Sequence, residues 1–173
     1  QKFQPPELND GYFNSGVLLI EINNWHRASV TENSMRFLID PEMKKVITHP
    51  DQDVLNILLA GNFHQLNNKY NTQFSINYEL KYSNGESAPT PISTETVFIH
   101  YIGPTKPWHK WAANYTCTKY FLKAKENSPW RNEPLLDAVT ASNMRYCAKH
   151  QFHNRQFISG TISYLKYFYK KAF

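Results

Sequence analysis

Cysteine and glycine are scarce in this chain, and no apolar run in it is long. The two cysteines among 173 residues, Cys117 and Cys147, give no disulfide framework and no metal-type spacing, so a reducing, cytoplasmic setting is expected. No stretch approaches the ~20 apolar residues that a spanning helix needs. The opening Gln1-Lys2-Phe3-Gln4-Pro5-Pro6 lacks the apolar core of a secretory signal, and without an initial Met the chain reads as the middle of something longer. Internal repeats and low-complexity stretches are missing too. Acidic residues are absent from residues 138–173, where six basic ones stand: Arg145, Lys149, Arg155, Lys166, Lys170 and Lys171. Elsewhere 13 of the 19 basic residues face all 14 acidic ones. The net charge of +5 is therefore a property of the tail, and such asymmetry points to an anionic partner.

What the chain does have is a dense stretch from His100 to Trp108, His-Tyr-Ile-Gly-Pro-Thr-Lys-Pro-Trp. It follows the apolar run Val97-Phe98-Ile99, so it is expected where a buried strand gives way to a loop, the usual ligand position in α/β sheets. Gly103 lets backbone approach a ligand closely. Pro104 and Pro107 fix the chain on either side of Lys106 and so aim its ammonium. An imidazole, a bare backbone and a clamped cation suit a metal-bound diphosphate, His100 ligating the metal and Lys106 offsetting phosphate charge. The plainer reading is a Pro-rich loop with a hydrogen-bonded histidine.

Along the chain, residues 1–11 read as a loop. Val17-Leu18-Leu19-Ile20 reads as a strand covered on both faces, entered through Asn14, Ser15 and Gly16. Those small polar residues serve either a turn or a hydroxylated ligand. Asn23-Asn24 before Trp25 reads as a turn. Ser29-Val30-Thr31-Glu32 has capping-box form and opens a helix with Met35, Leu38 and Ile39 on its inner side, ending near Pro41. A second helix starts after Pro50 with Asp51 as N-cap, carries Val54, Leu55, Leu58 and Leu59 on one stripe, and has Gly61 at its C-cap. Asp51-Gln52-Asp53 is explained by capping, or else as an amide between carboxylates that holds sugar hydroxyls or an oxocarbenium-like centre. Residues 63–66 read as a short strand, the amide-rich 67–73 as turns or sugar contacts, and 83–91 as a loop. Helical structure is expected to about Lys125, then over 142–152 and 158–171. The last helix carries Ile158, Ile162, Leu165, Phe168 and Tyr169 at helical spacing with lysines at the flank. It serves either as a packed cap or as a segment lying on an anionic membrane surface.

Taken together, Tyr12-Phe13-Asn14-Ser15-Gly16, Asp51-Gln52-Asp53 and His100 to Trp108 resemble family 8 glycosyltransferases. Tyr70-Asn71-Thr72-Gln73, Pro129-Trp130 and the basic aromatic tail narrow the likeness to the lipopolysaccharide core glucosyltransferases and galactosyltransferases, most closely the 1,2-glucosyltransferase type. The resemblance covers nearly the whole chain. It implies an α/β fold: residues 1–115 would be the C-terminal part of a doubly wound, GT-A type catalytic domain, and residues 116–173 a helical, basic-aromatic region. It implies a retaining, metal-dependent enzyme that moves a hexose, glucose by expectation, from a UDP-sugar to a hexose of the lipopolysaccharide outer core. His100 would ligate a divalent metal, Mg²⁺ or Mn²⁺. Gly103 and Lys106 would contact the diphosphate, and Asn14 and Asp51 would hold the donor sugar. Gln52 would also hold the sugar, on the reacting face near the anomeric carbon, with Asp53 as the neighbouring carboxylate of the catalytic pair. The tail would place the protein on the inner face of the bacterial cytoplasmic membrane.

One departure bears on this. In the family, the uridine pocket and the Asp-x-Asp metal motif precede the Tyr-Phe-Asn-Ser-Gly motif, and neither is in this chain. Asp51-Gln52-Asp53 has Asp-x-Asp letters but the later motif's place. One imidazole does not hold a hard divalent ion, so the chain is expected to supply part of a donor site. The alternatives are a galactosyltransferase of the same family, or a non-catalytic fragment that binds anionic membranes through Lys166 to Lys171. Nucleic-acid binding, the third reading of basic residues among aromatics, has no recognised motif behind it, and no nucleic-acid partner is expected.

Overall fold

The structure, a computed structural model, describes residues 11–82 and 87–173. The expected loop over 1–10 and the part of the 83–91 loop up to Glu86 lie outside the described residues. The chain forms two compact units that divide between Asn71 and Thr72. Its class is α/β, with seven α-helices and one two-stranded parallel sheet among the described residues.

The first unit is helical. Helix α1 (Ile22–Arg27) replaces the turn expected at Asn23-Asn24, because the Glu21 side chain accepts the Asn23 and Asn24 amides and so caps it. Helix α2 (Val30–Ile39) ends before Pro41 as expected, but Ser29 does not cap it through its side chain. Ser29 instead lies in the left-handed region at φ 48°, which the tight joint after α1 demands. The inner side of α2 also differs. Val30 is buried and Phe37 and Leu38 are half-buried, while Met35 and Ile39 are exposed. Helices α3 (Met43–Val46) and α4 (Pro50–Leu58) follow, and α2 packs against both. Proline opens α4 in its first turn, where the missing N–H costs nothing. Leu59, not Gly61, is the C-cap, and Gly61 lies two residues on at φ +70°.

Two expected strands do not form. Residues 17–20 and 63–66 carry no ladder, and Leu18, Leu19 and Ile20 are exposed, Leu19 by 88%. A strand exists only through its neighbours, and no described segment pairs with either run.

In the second unit, β1 (Thr72–Phe74) pairs in parallel with β2 (Ile99–Tyr101), Gln73 standing opposite His100. Thr72 and Gln73, read as part of an amide-rich turn, thus belong to a strand, and His100 lies inside β2 rather than just beyond it. The core gathers Phe74, Ile76, Ala88, Ile92, Ala112 and Cys117, with Ile99, Tyr101 and Tyr115 packed around it. Short 3₁₀ turns, Ile76–Lys81, Lys110–Ala112 and Thr116–Thr118, carry the chain to α5 (Lys119–Glu126).

Helices α6 (Ala141–His153) and α7 (Phe157–Ala172) form a closely packed hairpin. Thr140 caps α6 by accepting the Asn143 amide. Gly160 is buried because Phe152 leaves no room: a Cβ there would stand 2.9 Å from the ring. The α7 face carrying Gly160, Ser163, Tyr164 and Tyr167 is the covered one. Ile158, Ile162, Leu165, Tyr169 and Phe173 occupy the opposite stripe and are all exposed.

Candidate active site

The first cluster grows from the start of α4. Its N-cap position is His49, which makes no side-chain cap bond, so Asp51 is not the N-cap. The capping work falls to Asp53, whose Oδ2 reaches back to the amides of Thr48 at 2.6 Å and His49 at 2.8 Å. Its Oδ1 accepts a short hydrogen bond from the Tyr12 phenol. Burial alone would raise the Asp53 carboxyl, but these bonds from Tyr12, His49 and Thr48 outweigh it and hold the group below its ordinary range. Burial, then the bond to Asp53, pushes the Tyr12 phenol up. Asp53 is therefore an ionised acceptor with both oxygens engaged.

Asn14 and the amide of Gln52 meet directly. Asn14 Nδ2 donates to Gln52 Oε1 at 2.9 Å, and the Ser15 amide donates to the same oxygen at 3.3 Å. Gln52 Nε2 donates to Tyr12 Oη at 3.0 Å. Ser15 Oγ donates to Asp51 Oδ2 at 2.8 Å, and the Gly16 amide to Asn14 Oδ1 at 2.9 Å. Behind them Asn56, fully buried, accepts from Phe13 N and donates to the carbonyls of Phe13 and Gln52, each at 2.8 Å. So residues far apart in sequence, Asn14, Asp51, Gln52 and Asp53, share one hydrogen-bonded cluster. The result is a rigid array of amide, hydroxyl and carboxylate groups, the kind that matches sugar hydroxyls.

The second cluster follows β2. Gly103 takes φ +80°, and a Cβ there would stand 2.8 Å from Ser75 Oγ, so the position needs glycine twice over. Thr105 and Pro107 are fully buried and anchor the loop. Lys106 between them is half-buried, its ammonium donating to the Tyr101 carbonyl and its amide to His109 Nδ1 at 3.1 Å. His109 in turn stacks on Trp111 with ring centres 4.1 Å apart. Among the described residues the ion pairs are Lys45–Glu42 and Lys110–Asp137. The Lys106 charge is thus balanced by no described carboxylate. Burial lowers its pKa. Burial, then the Lys106 charge, lowers those of His100 and His109 as well. An imidazole within β2 and, in the loop after it, an ammonium with no carboxylate partner among the described residues are groups able to receive an anion.

A divalent metal fits these residues only in part. No group of three or more His, Cys, Asp or Glu able to hold an ion occurs among the described residues. His100 offers one nitrogen, whereas Mg²⁺ or Mn²⁺ takes several oxygen ligands.

Three contributors were given no role by the sequence reading, Tyr12 entering it only as part of a motif. Asn56 left one trace, an amide inside the apolar stripe of α4. Tyr12 has an ordinary aromatic's pattern, and His150, which reaches the Lys106 loop from α6, shows no local sign at all.

Comparison with known proteins gives two family matches. Residues 2–112 match the model for glycosyl transferase family 8, and residues 115–171 match the model for its C-terminal region. A lipopolysaccharide 1,3-galactosyltransferase of Salmonella typhimurium is 49% identical over 96% of this chain and 48% of its own length. Lipopolysaccharide glucosyltransferase WaaO of Escherichia coli is 48% identical over 93% of this chain and 46% of its own. A lipopolysaccharide 1,2-glucosyltransferase of Escherichia coli is 38% identical over 99% and 50%. The chain spans about half the length of these curated relatives. No solved structure matches it.

Proposed function

Because the chain belongs to glycosyl transferase family 8, we propose that it carries the C-terminal part of a retaining glycosyltransferase that moves a hexose, glucose or galactose, from a UDP-sugar to a hexose of the lipopolysaccharide outer core. Residues 1–115 then complete a doubly wound, GT-A type catalytic domain, and residues 116–173 form its helical C-terminal region. The observation that carries this reading is the Lys106 ammonium, held by its loop at the end of β2 with no described carboxylate to neutralise it.

The chemistry follows from what each group offers. The bond between the anomeric carbon and the diphosphate oxygen breaks, and the electron pair leaves with UDP. Lys106 stabilises that charge as a fixed cation, and Gly103 admits the diphosphate against bare backbone. The acceptor hydroxyl attacks from the face UDP leaves, and its proton passes to the departing phosphate oxygen, so configuration is retained. Asn14 and Asp51 hold sugar hydroxyls. The Gln52 carbonyl oxygen steadies the cationic anomeric carbon, as carboxylates do in glycoside hydrolysis. Asp53 fixes Tyr12, which fixes Gln52. His100 would give a divalent ion, Mg²⁺ or Mn²⁺, one nitrogen ligand, the others coming from outside the described residues. The test is incubation of the intact protein with UDP-glucose or UDP-galactose and truncated lipopolysaccharide. A new α-linked hexose on the product supports the reading; hydrolysis without transfer, or a β-linked product, opposes it.

The same reading places the protein in the cytoplasm, peripheral on the inner face of the bacterial cytoplasmic membrane. No helix among the described residues is long and apolar enough to cross a membrane. The exposed α7 stripe, with Lys166 and Lys170 at its margin and no acidic residue from 138 onward, suits an anionic interface. Each Ile or Leu withdrawn from water there contributes about 1.5 kcal/mol or more, roughly tenfold in binding. Ile162→Asp with Leu165→Asp is therefore expected to abolish co-sedimentation with vesicles of phosphatidylglycerol while leaving helix content unchanged. Undiminished sedimentation would remove the tail from the interface.

A further inference from the structure

We infer that His150, on α6 of the C-terminal helical region, is a positioning residue that holds the Gly103–Lys106 loop in its donor-binding shape. The inference rests on the reading of that loop as the diphosphate contact.

The imidazole is fully buried, yet every hydrogen-bonding position on it is used. Nε2 lies 3.0 Å from Asn77 Oδ1 and 3.1 Å from Thr105 Oγ1. Nδ1 lies 2.7 Å from the Tyr115 hydroxyl. The Asn77 oxygen can only accept, so Nε2 carries the proton and shares it between Asn77 and Thr105. Nδ1 then accepts from the Tyr115 O–H, which fixes a single tautomer. Burial, followed by neighbouring His153, His109 and Lys149, depresses the group to about 4. It is therefore neutral near neutral pH.

Both partners of Nε2 belong to the loop or its seat. Thr105 is buried and precedes Lys106 directly. The Asn77 amide lies beside Gly103, its Nδ2 4.0 Å from where a Cβ would stand. One ring thus pins the loop at Thr105 and supports the wall against which Gly103 takes φ +80°. A purely space-filling residue needs neither the hydroxyl nor the amide, and an apolar side chain from α6 would fill the same volume. Three polar partners around one buried ring specify orientation instead.

The test uses the intact protein with UDP as probe and the transfer reaction as readout. His150→Ala is expected to raise the KM for the UDP-sugar and the Kd for UDP on the order of tenfold, leaving the acceptor KM unchanged. His150→Gln, which returns an N–H donor near the place of Nε2, is expected to recover most of that loss. Should His150→Ala fail to fold, Thr105→Val removes only the loop-side partner and is expected to weaken UDP binding by severalfold. Native UDP affinity in Thr105→Val and in whichever His150 variants fold would overturn the inference, as would equal losses for donor and acceptor. Lys106→Ala separates the two claims. If it weakens UDP binding while the His150 and Thr105 variants do not, the diphosphate reading stands and the positioning role falls. If it leaves UDP binding unchanged, both fall.

Discussion

Replacing Lys106 by Ala in the intact protein is expected to lower kcat for hexose transfer by about 10²–10³-fold, the usual cost of removing one preorganised donor from a developing negative charge. The expectation comes from the environment of the side chain. Its ammonium is half-buried, tied by one bond to the Tyr101 carbonyl, and no described carboxylate shares its charge. Among the described residues, two of its three N–H groups have no partner. Because the loop on both sides is anchored at Thr105 and Pro107, little reorganisation is needed when charge builds on the departing phosphate. Lys106→Arg is expected to restore little, since a planar fork does not fill the place of a point charge in a fixed loop. Burial also lowers the Lys106 pKa, so the protonated, active form should be lost below the ordinary lysine range. The alkaline limb of the kcat profile should fall correspondingly early, and Lys106→Ala should lack that limb. A variant that keeps more than about a third of the native rate would contradict this role.

Gln52→Ala is expected to produce the second-largest loss, again about 10²-fold or more in kcat. Gln52 is the junction of the first cluster: its oxygen accepts from Asn14 and Ser15, and its nitrogen donates to Tyr12. Removing it takes away the oxygen proposed to face the anomeric carbon and releases Asn14 as well. Gln52→Glu separates these contributions. The carboxylate still accepts from Asn14 and Ser15 but cannot donate to Tyr12 Oη, whose proton already goes to Asp53. If the oxygen matters most, Gln52→Glu should retain clearly more activity than Gln52→Ala. Equal losses would assign the residue to the scaffold of the Tyr12–Gly16 segment alone.

Much of this arrangement is legible in the chain, and the rest has definable causes. Helices α4 and α7 show themselves because each signal is local: Pro50 in a first turn, and apolar residues at intervals of three and four from Ile158 onward. The apolar run at 17–20 carries the composition of a buried strand but says nothing of its neighbours, and without a paired segment among the described residues Leu18 to Ile20 stay exposed. Ser29 has the right residue for a cap and the wrong backbone, since the joint with α1 sets its φ. At α4 the acidic first turn is plain, while the choice of Asp53 over Asp51 depends on where Tyr12 and the Thr48 amide lie in space. The same holds for the site. Motif order puts Asn14 with Gln52 and His100 with Lys106 on the candidate roster. It is silent on Asn56 and His150, whose importance exists only once distant segments have met. The tail helix offers the converse lesson. Its periodicity is evident from sequence, but only the packing against α6 reveals that the stripe from Ile158 to Phe173 faces outward.

Calorimetric titration of UDP and of uridine into the intact protein, wild-type and Lys106→Ala, tests the central assignment most directly. If the loop after β2 receives the diphosphate, the substitution weakens UDP binding at least about tenfold and leaves uridine binding unchanged. Equal affinity of both proteins for UDP would contradict the account.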